Sequence, residues 1–236
     1  MESGSGAAGW IKLGLAACVM LISSATWAGR PFTTEDAGVI DARNCELEAF
    51  GSHARAQSDP SERGAWAQVG CGIGLDTQLA IGMGRFSSVD GSRTAAAAMG
   101  KTALRPLSED SFGMALAYTI DGSRTPGEPL RHTGSSASVV VSVPYGRTMF
   151  HANLGLTRNH VEGRNAKVYA FAVERLGEQG TDVGVEVFGQ SGESAWIGSG
   201  ARYAIQAEKL WVDISLAVQS GGGHARQVTV GLKHAF

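Results

Sequence analysis

The sequence predicts an all-β fold: an antiparallel transmembrane β-barrel of about twelve strands, of outer-membrane type. Three observations carry that expectation. Apolar and polar residues alternate with a period of two along most of the chain, the polar faces are small and lightly charged, and the connections between candidate strands alternate between short and long.

Ahead of the first strand, residues 1–28 read as a cleaved secretory signal peptide. Lys12 precedes the apolar run Leu13 to Ile22, and Ser-Ser-Ala-Thr-Trp-Ala supplies a small-residue cleavage site after Ala28. That run falls short of the ~20 residues a spanning helix needs, and no later run reaches it. Residues 29–236 then form a single barrel domain. The net charge of −2 suggests no nucleic acid as partner. The 33 glycines are dispersed and prolines are few, which argues against a collagen or a disordered linker.

The early strands are the less regular ones: Asn44 to Ser52, Trp66 to Leu75, Thr77 to Arg85 and Met99 to Arg105. The fifth alternates cleanly, with Phe112, Met114, Leu116, Tyr118 and Ile120 on one face and Gly113, Ala115, Ala117, Thr119 and Asp121 on the other. Val139, Val141 and Val143 mark the sixth, and Phe150, Ala152, Leu154 and Leu156 the seventh, with His151 and Asn153 behind them. Lys167 to Arg175, then Val183, Val185 and Val187, then Trp196 to Ile205, give the eighth, ninth and tenth. Leu210, Val212, Ile214, Leu216 and Val218 give the eleventh. The last runs to the C-terminus, with Val228, Val230, Leu232 and Phe236 expected to face lipid and Lys233 the lumen. His234 is the polar misfit on the lipid face, tolerable near the interface.

A soluble sandwich would expose a heavily charged second face. Here that face is Gly, Ala, Ser and Thr with scattered charges, as expected of a barrel interior, while the Val, Leu, Ile and Phe face meets lipid. The short connections are expected at Asp76, Pro106 to Ser111, Pro144 to Thr148, Gly177 to Asp182 and Gln206 to Lys209. The longer ones are His53 to Arg63, Ser87 to Thr94, Gly122 to Thr133, Arg158 to Asn165 and Ser220 to Ala225, with Gln190 to Ser194 intermediate. An even strand count puts both termini on the periplasmic side, and strands of about 9–11 residues suffice to span when tilted.

Few motifs suggest chemistry. Gly70, Gly72 and Gly74 resemble a nucleotide-binding turn, but a strand follows where a helix is required, so they read as lumen clearance or sheet bending. No Gly-x-Ser-x-Gly elbow is present, and His151 reads as a polar lining residue, so no enzyme is expected. The six histidines lack ligand spacing, so no metal and no cofactor is expected. Cys45 and Cys71 either bridge, if they stand opposite one another on adjacent strands, or are two small buried or lipid-facing side chains.

The candidate functional residues are the charges expected to face inward: Glu46, Glu48, Glu174, Glu186, Arg202, Asp213 and Lys233. In a wide pore such residues set ion preference; in a narrow one they pair and fill it. The first and last strands adjoin on closure, so Glu46 or Glu48 is expected to meet Lys233. Arg93, Arg124, Arg131, Arg158 and Arg164 are expected in the longer loops, solvated or against lipopolysaccharide phosphates.

"RPFTTEDAGVI" (Arg30 to Ile40), followed by "CELEAF" (Cys45 to Phe50), resembles the opening of outer-membrane transporters of the meta-pathway phenol-degradation type. "VEVFGQSG" and "VTVGLKHAF" are similar to that family's final hairpins. The resemblance implies a barrel in the bacterial outer membrane, linked to import of aromatic compounds. Phe236 resembles the aromatic end by which the outer-membrane assembly machinery recognises its clients. The expectation is therefore a barrel for passive passage of small solutes, hydrophobic or aromatic ones included, with outer-membrane lipid, lipopolysaccharide and the assembly machinery as partners. The alternative is a non-conducting structural or surface-interaction barrel.

Overall fold

The computed structural model describes residues 32–56, 61–221 and 225–236. The expected signal peptide lies outside the described residues. Twelve strands follow one another: β1 (Cys45–Arg55), β2 (Glu62–Gly74), β3 (Thr77–Ser88), β4 (Gly91–Arg105), β5 (Gly113–Arg124), β6 (Arg131–Tyr145), β7 (Thr148–Asn159), β8 (Arg164–Arg175), β9 (Thr181–Gln190), β10 (Trp196–Gln206), β11 (Leu210–Gln219) and β12 (Arg226–Ala235). Each pairs antiparallel with its sequence neighbour, and β1 pairs with β12 from Glu46↔Ala235 to Arg55↔Arg226, closing the barrel. Closure leaves no sheet edge, so every strand finds its backbone partners within the wall. β1 starts and β12 ends at one rim, the proximal rim; the opposite rim is distal.

The period of two becomes an inside and an outside. On β12, Val228, Val230 and Leu232 are exposed outward while Thr229 and Gly231 are buried; on β7, Phe150, Leu154 and Leu156 face out while His151, Asn153 and Thr157 face in. Exposed aromatics gather toward the proximal rim: Phe112, Tyr145, Phe150, Tyr203 and Phe236. That is the composition of a membrane-interface girdle.

Four expectations need correction. The strands are longer than a bilayer requires, 15 residues in β4 and β6. β4 begins at Gly91 and not near Met99, because its Ala95–Ala98 run carries no polar contrast for periodicity to register. The sorting of connections by length is correspondingly weak. Ser87 to Thr94 shrinks to a turn at Val89 and Asp90, since the ladder runs on to Ser88↔Gly91, whereas the proximal connection Pro106 to Phe112 is one of the longest. The interior is also less uniformly small than the pattern suggests. Trp66, Phe86, Met99, Ala80 and Ala97 form a buried apolar cluster inside, and Phe188 stacks with Trp196, ring centroids 6.1 Å apart.

Candidate functional site: a strap latched across the lumen

Residues Phe32 to Asn44 form no strand of the wall. They cross the interior from β9 to β2 and β3 before joining β1, and the wall reaches out to hold them by side chains. Glu186 on β9 accepts the backbone N–H groups of Thr33 (2.8 and 3.0 Å) and Thr34 (2.9 Å), and the Thr34 hydroxyl (2.9 Å). With its amide oriented to suit both neighbours, Asn153 on β7 accepts from Glu35 N–H (2.6 Å) and donates to the Glu35 carbonyl (3.0 Å). Ser142 on β6 accepts from Ala37 N–H at 2.8 Å, and Gln78 on β3 accepts from Ile40 N–H at 2.7 Å. A strap without strand partners must satisfy its buried N–H groups some other way. Here that is the work of polar side chains from several strands.

Lys101 on β4 supplies the charge. Its ammonium donates to the Asp36 carbonyl (3.0 Å) and lies 3.6 Å from the Asp36 carboxylate and 4.0 Å from that of Glu35. Lys101 and Glu35 are almost fully buried, 4% and 2% exposed. The buried pair Glu35 and Lys101 is held by mutual neutralisation, neither sign being tolerable in so dry a space alone, while the Asp36 carboxylate adds to it from the more open side, its side chain 40% exposed.

Shape does the rest. A Cβ at Gly72 would stand 2.2 Å from the carbonyl oxygens of Ile40 and Asp41, and one at Gly184 would stand 2.6 Å from the Phe32 ring. Both glycines are therefore clearance for the strap, one at each end of its crossing. At the end nearer β1, Ala42 bridges to Gly72 and Arg43 N–H donates to the Gly72 carbonyl. The expected lumen clearance by the Gly70-Cys-Gly72 run is met at Gly72.

The seven charges expected inward all take inward-facing positions, in separate clusters. Lys233 pairs with Glu46 at 2.7 Å and lies 4.0 Å from Glu48, and its ammonium stands over the Trp211 ring. Glu48 accepts from Gln68, which accepts from the Trp66 indole. Arg202 pairs with Asp182 at 2.7 Å and lies 3.6 Å from Glu174, with Asp213 opposite it in register. Glu186 stands with the strap. Between strap, β1 and β4 a polar cavity of about 200 Å³ remains, lined by Asp36, Glu46, Glu48, Gln78, Lys101 and Lys233. Periodicity put Asn153 on the inner face beside His151 without giving it a role, and it did not single out Lys101, Gln78 or Ser142. A lysine in the middle of a spanning strand was the available signal for Lys101.

His151 has company that the sequence did not suggest. Its Nδ1 lies 2.8 Å from the Ser142 hydroxyl and its Nε2 3.7 Å from the Glu174 carboxylate. The order Ser, His, carboxylate is that of a hydrolytic triad. Ser142, however, has no exposed surface and already receives the Ala37 N–H, so its oxygen is committed to the strap. Cys45 and Cys71 stand opposite one another in register and form a disulfide at the proximal rim.

No protein-family model matches this chain, and no curated protein matches it. The fold is shared with solved outer-membrane barrels. The chain is similar to the COG4313 outer membrane channel from Pseudomonas putida F1, with a TM-score of 0.63 at 10% identity over 85% of this chain and 98% of that one. It is similar to the KdgM porin solved with disordered oligogalacturonate, with a TM-score of 0.60 at 7% identity over 80% of this chain and 99% of that one. Phospholipase A from the outer membrane of Escherichia coli also shares the architecture, with a TM-score of 0.50 at 9% identity over 90% and 95%. The architecture is that of the outer-membrane porin barrels: closed, antiparallel and twelve-stranded.

Proposed function

We propose that this protein is an outer-membrane channel, its termini in the periplasm, that admits small solutes passively past the internal strap. The observation that carries the reading is how the strap is held. Most of its crossing is tied by side chains to a closed barrel rather than woven into the sheet, so it can leave without unpairing any strand. The aromatic side chains inside, Trp66, Phe86, Phe188, Trp196 and Trp211, favour flat, hydrophobic or aromatic solutes over large polar ones. The opening motif resembling the phenol-degradation-type transporters supports the same solute class. Its Thr33-Thr34-Glu35-Asp36-Ala37-Gly38 stretch is the strap itself.

Conductance in planar bilayers tests the channel. The wild-type barrel is expected to open rarely and the Glu186→Ala variant more often or more widely. A silent bilayer with both proteins, each verified as folded by heat-dependent gel migration, would sink the reading. A non-conducting structural barrel is the second reading, favoured by the packing of Trp66, Phe86 and Met99 inside the wall.

A further inference from the structure

The outward face carries a chemistry that neither conduction nor the strap uses. At the distal rim, arginines occupy the lipid-facing parity of six strands: Arg226 on β12, Arg55 on β1, Arg63 on β2, Arg85 on β3, Arg124 on β5 and Arg158 on β7. Each side follows from the register. Arg226 is the next outward position beyond Val228, Arg85 beyond Met83 and Arg158 beyond Leu156, all exposed apolar residues, and Arg124 stands opposite the outward Thr94. The ring thus begins where the apolar band ends. The proximal rim is dominated by outward aromatics at the corresponding height, with Arg105 over the Phe112 ring and Arg175 beyond Val173 as its outward arginines, so the distal rim is the one where arginine prevails.

Charge without counter-charge is the informative part. Among the described residues, Arg93, Arg147, Arg164 and Arg202 each pair with a carboxylate, while no ion pair engages any of the six rim arginines. Arg55 and Arg226 stand directly opposite one another in the β1–β12 register, both exposed. Like charges so placed are unfavourable. An anion between them removes that cost, and a planar guanidinium fork suits phosphate in two-point contact. The expectation of loop arginines facing lipopolysaccharide changes accordingly. Arg93 turns inward over Phe86 and pairs with Glu62, whereas Arg124 and Arg158 are strand residues at the membrane boundary.

We propose that this arginine ring is a docking surface for the phosphorylated disaccharide headgroup of an acylated outer-leaflet lipid of the lipid A kind, with Arg55 and Arg226 sharing one phosphate. The acyl chains lie along the apolar band below. A broad outward groove floored by Ala67, Ala96 and Ala98 between Ile81 and Ile120 runs beneath Arg85 and Arg124 and offers such chains a place. The proposal rests on the outer-membrane reading with the distal rim outward, and is independent of whether the lumen conducts.

The test inserts the full barrel into phosphatidylcholine liposomes and titrates in bisphosphorylated lipid A, its monophosphorylated form or phosphatidylglycerol, following the thermal midpoint by gel mobility. Lipid A with two phosphates is expected to raise the midpoint most, the monophosphorylated form less and phosphatidylglycerol least. Arg55→Gln with Arg226→Gln is expected to weaken the apparent affinity for lipid A by about tenfold or more, one charge-assisted bond's worth. Arg226→Lys, which keeps the charge and loses the fork, is expected to fall between and serves if the double variant does not fold. Equal shifts from lipid A and phosphatidylglycerol would overturn the proposal in favour of plain anion attraction, and an unchanged affinity in the variants would overturn it outright. Failure of the wild type to insert into any liposome would instead overturn the membrane reading beneath it.

Discussion

Glu186 Oε2 on β9 accepts both the backbone N–H and the side-chain hydroxyl of Thr34, each at 2.9 Å, across 152 residues of sequence. The same carboxylate takes the N–H of Thr33. A residue that periodicity marks as lumen lining is thus the catch of an internal latch, and its removal tests the latch separately from the barrel. In Glu186→Ala the amide protons of Thr33 and Thr34 are expected to exchange at least about tenfold faster, since bonds to a charged acceptor contribute about 1.5–3 kcal/mol each. Glu186→Gln keeps one acceptor oxygen and is expected to fall between. Strand amides of β9 should be unmoved in both, and a matching acceleration there would mean that the wall, not the strap, had loosened.

Lys101 sets up a harder test, because its loss removes the ammonium that Glu35 and Asp36 share. Breaking a buried charge cluster by removing one partner costs about 3–5 kcal/mol. Lys101→Met is expected to lower the urea midpoint strongly or to expel the strap, which limited proteolysis within Phe32–Asn44 would reveal. Adding Glu35→Gln and Asp36→Asn is expected to recover more than half of the loss, since the neutral trio no longer needs the ammonium. A triple variant as unstable as Lys101→Met would place Lys101's contribution in packing.

Much of the wall was legible because a barrel strand broadcasts its two faces as alternation, and β5, β7, β11 and β12 do so with few interruptions. β4 was legible only in part, since alanine on both faces of Ala95–Ala98 gives no contrast. The strap was invisible to periodicity. It is irregular backbone, and its partners Gln78, Ser142 and Asn153 are ordinary small polar residues whose role depends on what crosses in front of them. Only the unusual Thr33 to Ile40 motif marked that stretch as distinctive. The inward set of Glu46 to Lys233 was legible as parity, but its division into a seam pair, an arginine cluster and a latch needed the register.

The disulfide between Cys45 and Cys71 closes a loop of 26 residues in sequence separation and sits where the strap enters β1. Cross-linking a loop of this size stabilises by about 3–4 kcal/mol through the unfolded state. Cys45→Ser with Cys71→Ser is therefore expected to lower the unfolding midpoint in urea and to leave the spectrum of the folded barrel unchanged. Non-reducing peptide mass mapping of the wild type should recover the two cysteines as one linked species. Recovery of two free thiols from protein made in an oxidising compartment would refute the bridge.

His160, in the β7–β8 connection, packs its ring against His132 with centroids 4.0 Å apart, and Ser135 lies within hydrogen-bonding reach. Partial shielding from water at that contact, then the charges of His132 and Arg158, hold its imidazole below the usual range, with Asp121 opposing more weakly. A depressed histidine binds fewer protons folded than unfolded, so whatever stability this loop draws from the neutral ring is present above the ordinary imidazole pKa and is lost as pH falls through the depressed one. The ring resonances of His160 are expected to titrate below the ordinary imidazole range. In His132→Asn the midpoint should move up toward the ordinary value, because both the shielding contact and a like charge are gone. A midpoint that stays where it was would show that Arg158 alone sets it, and Arg158→Gln would then carry the shift.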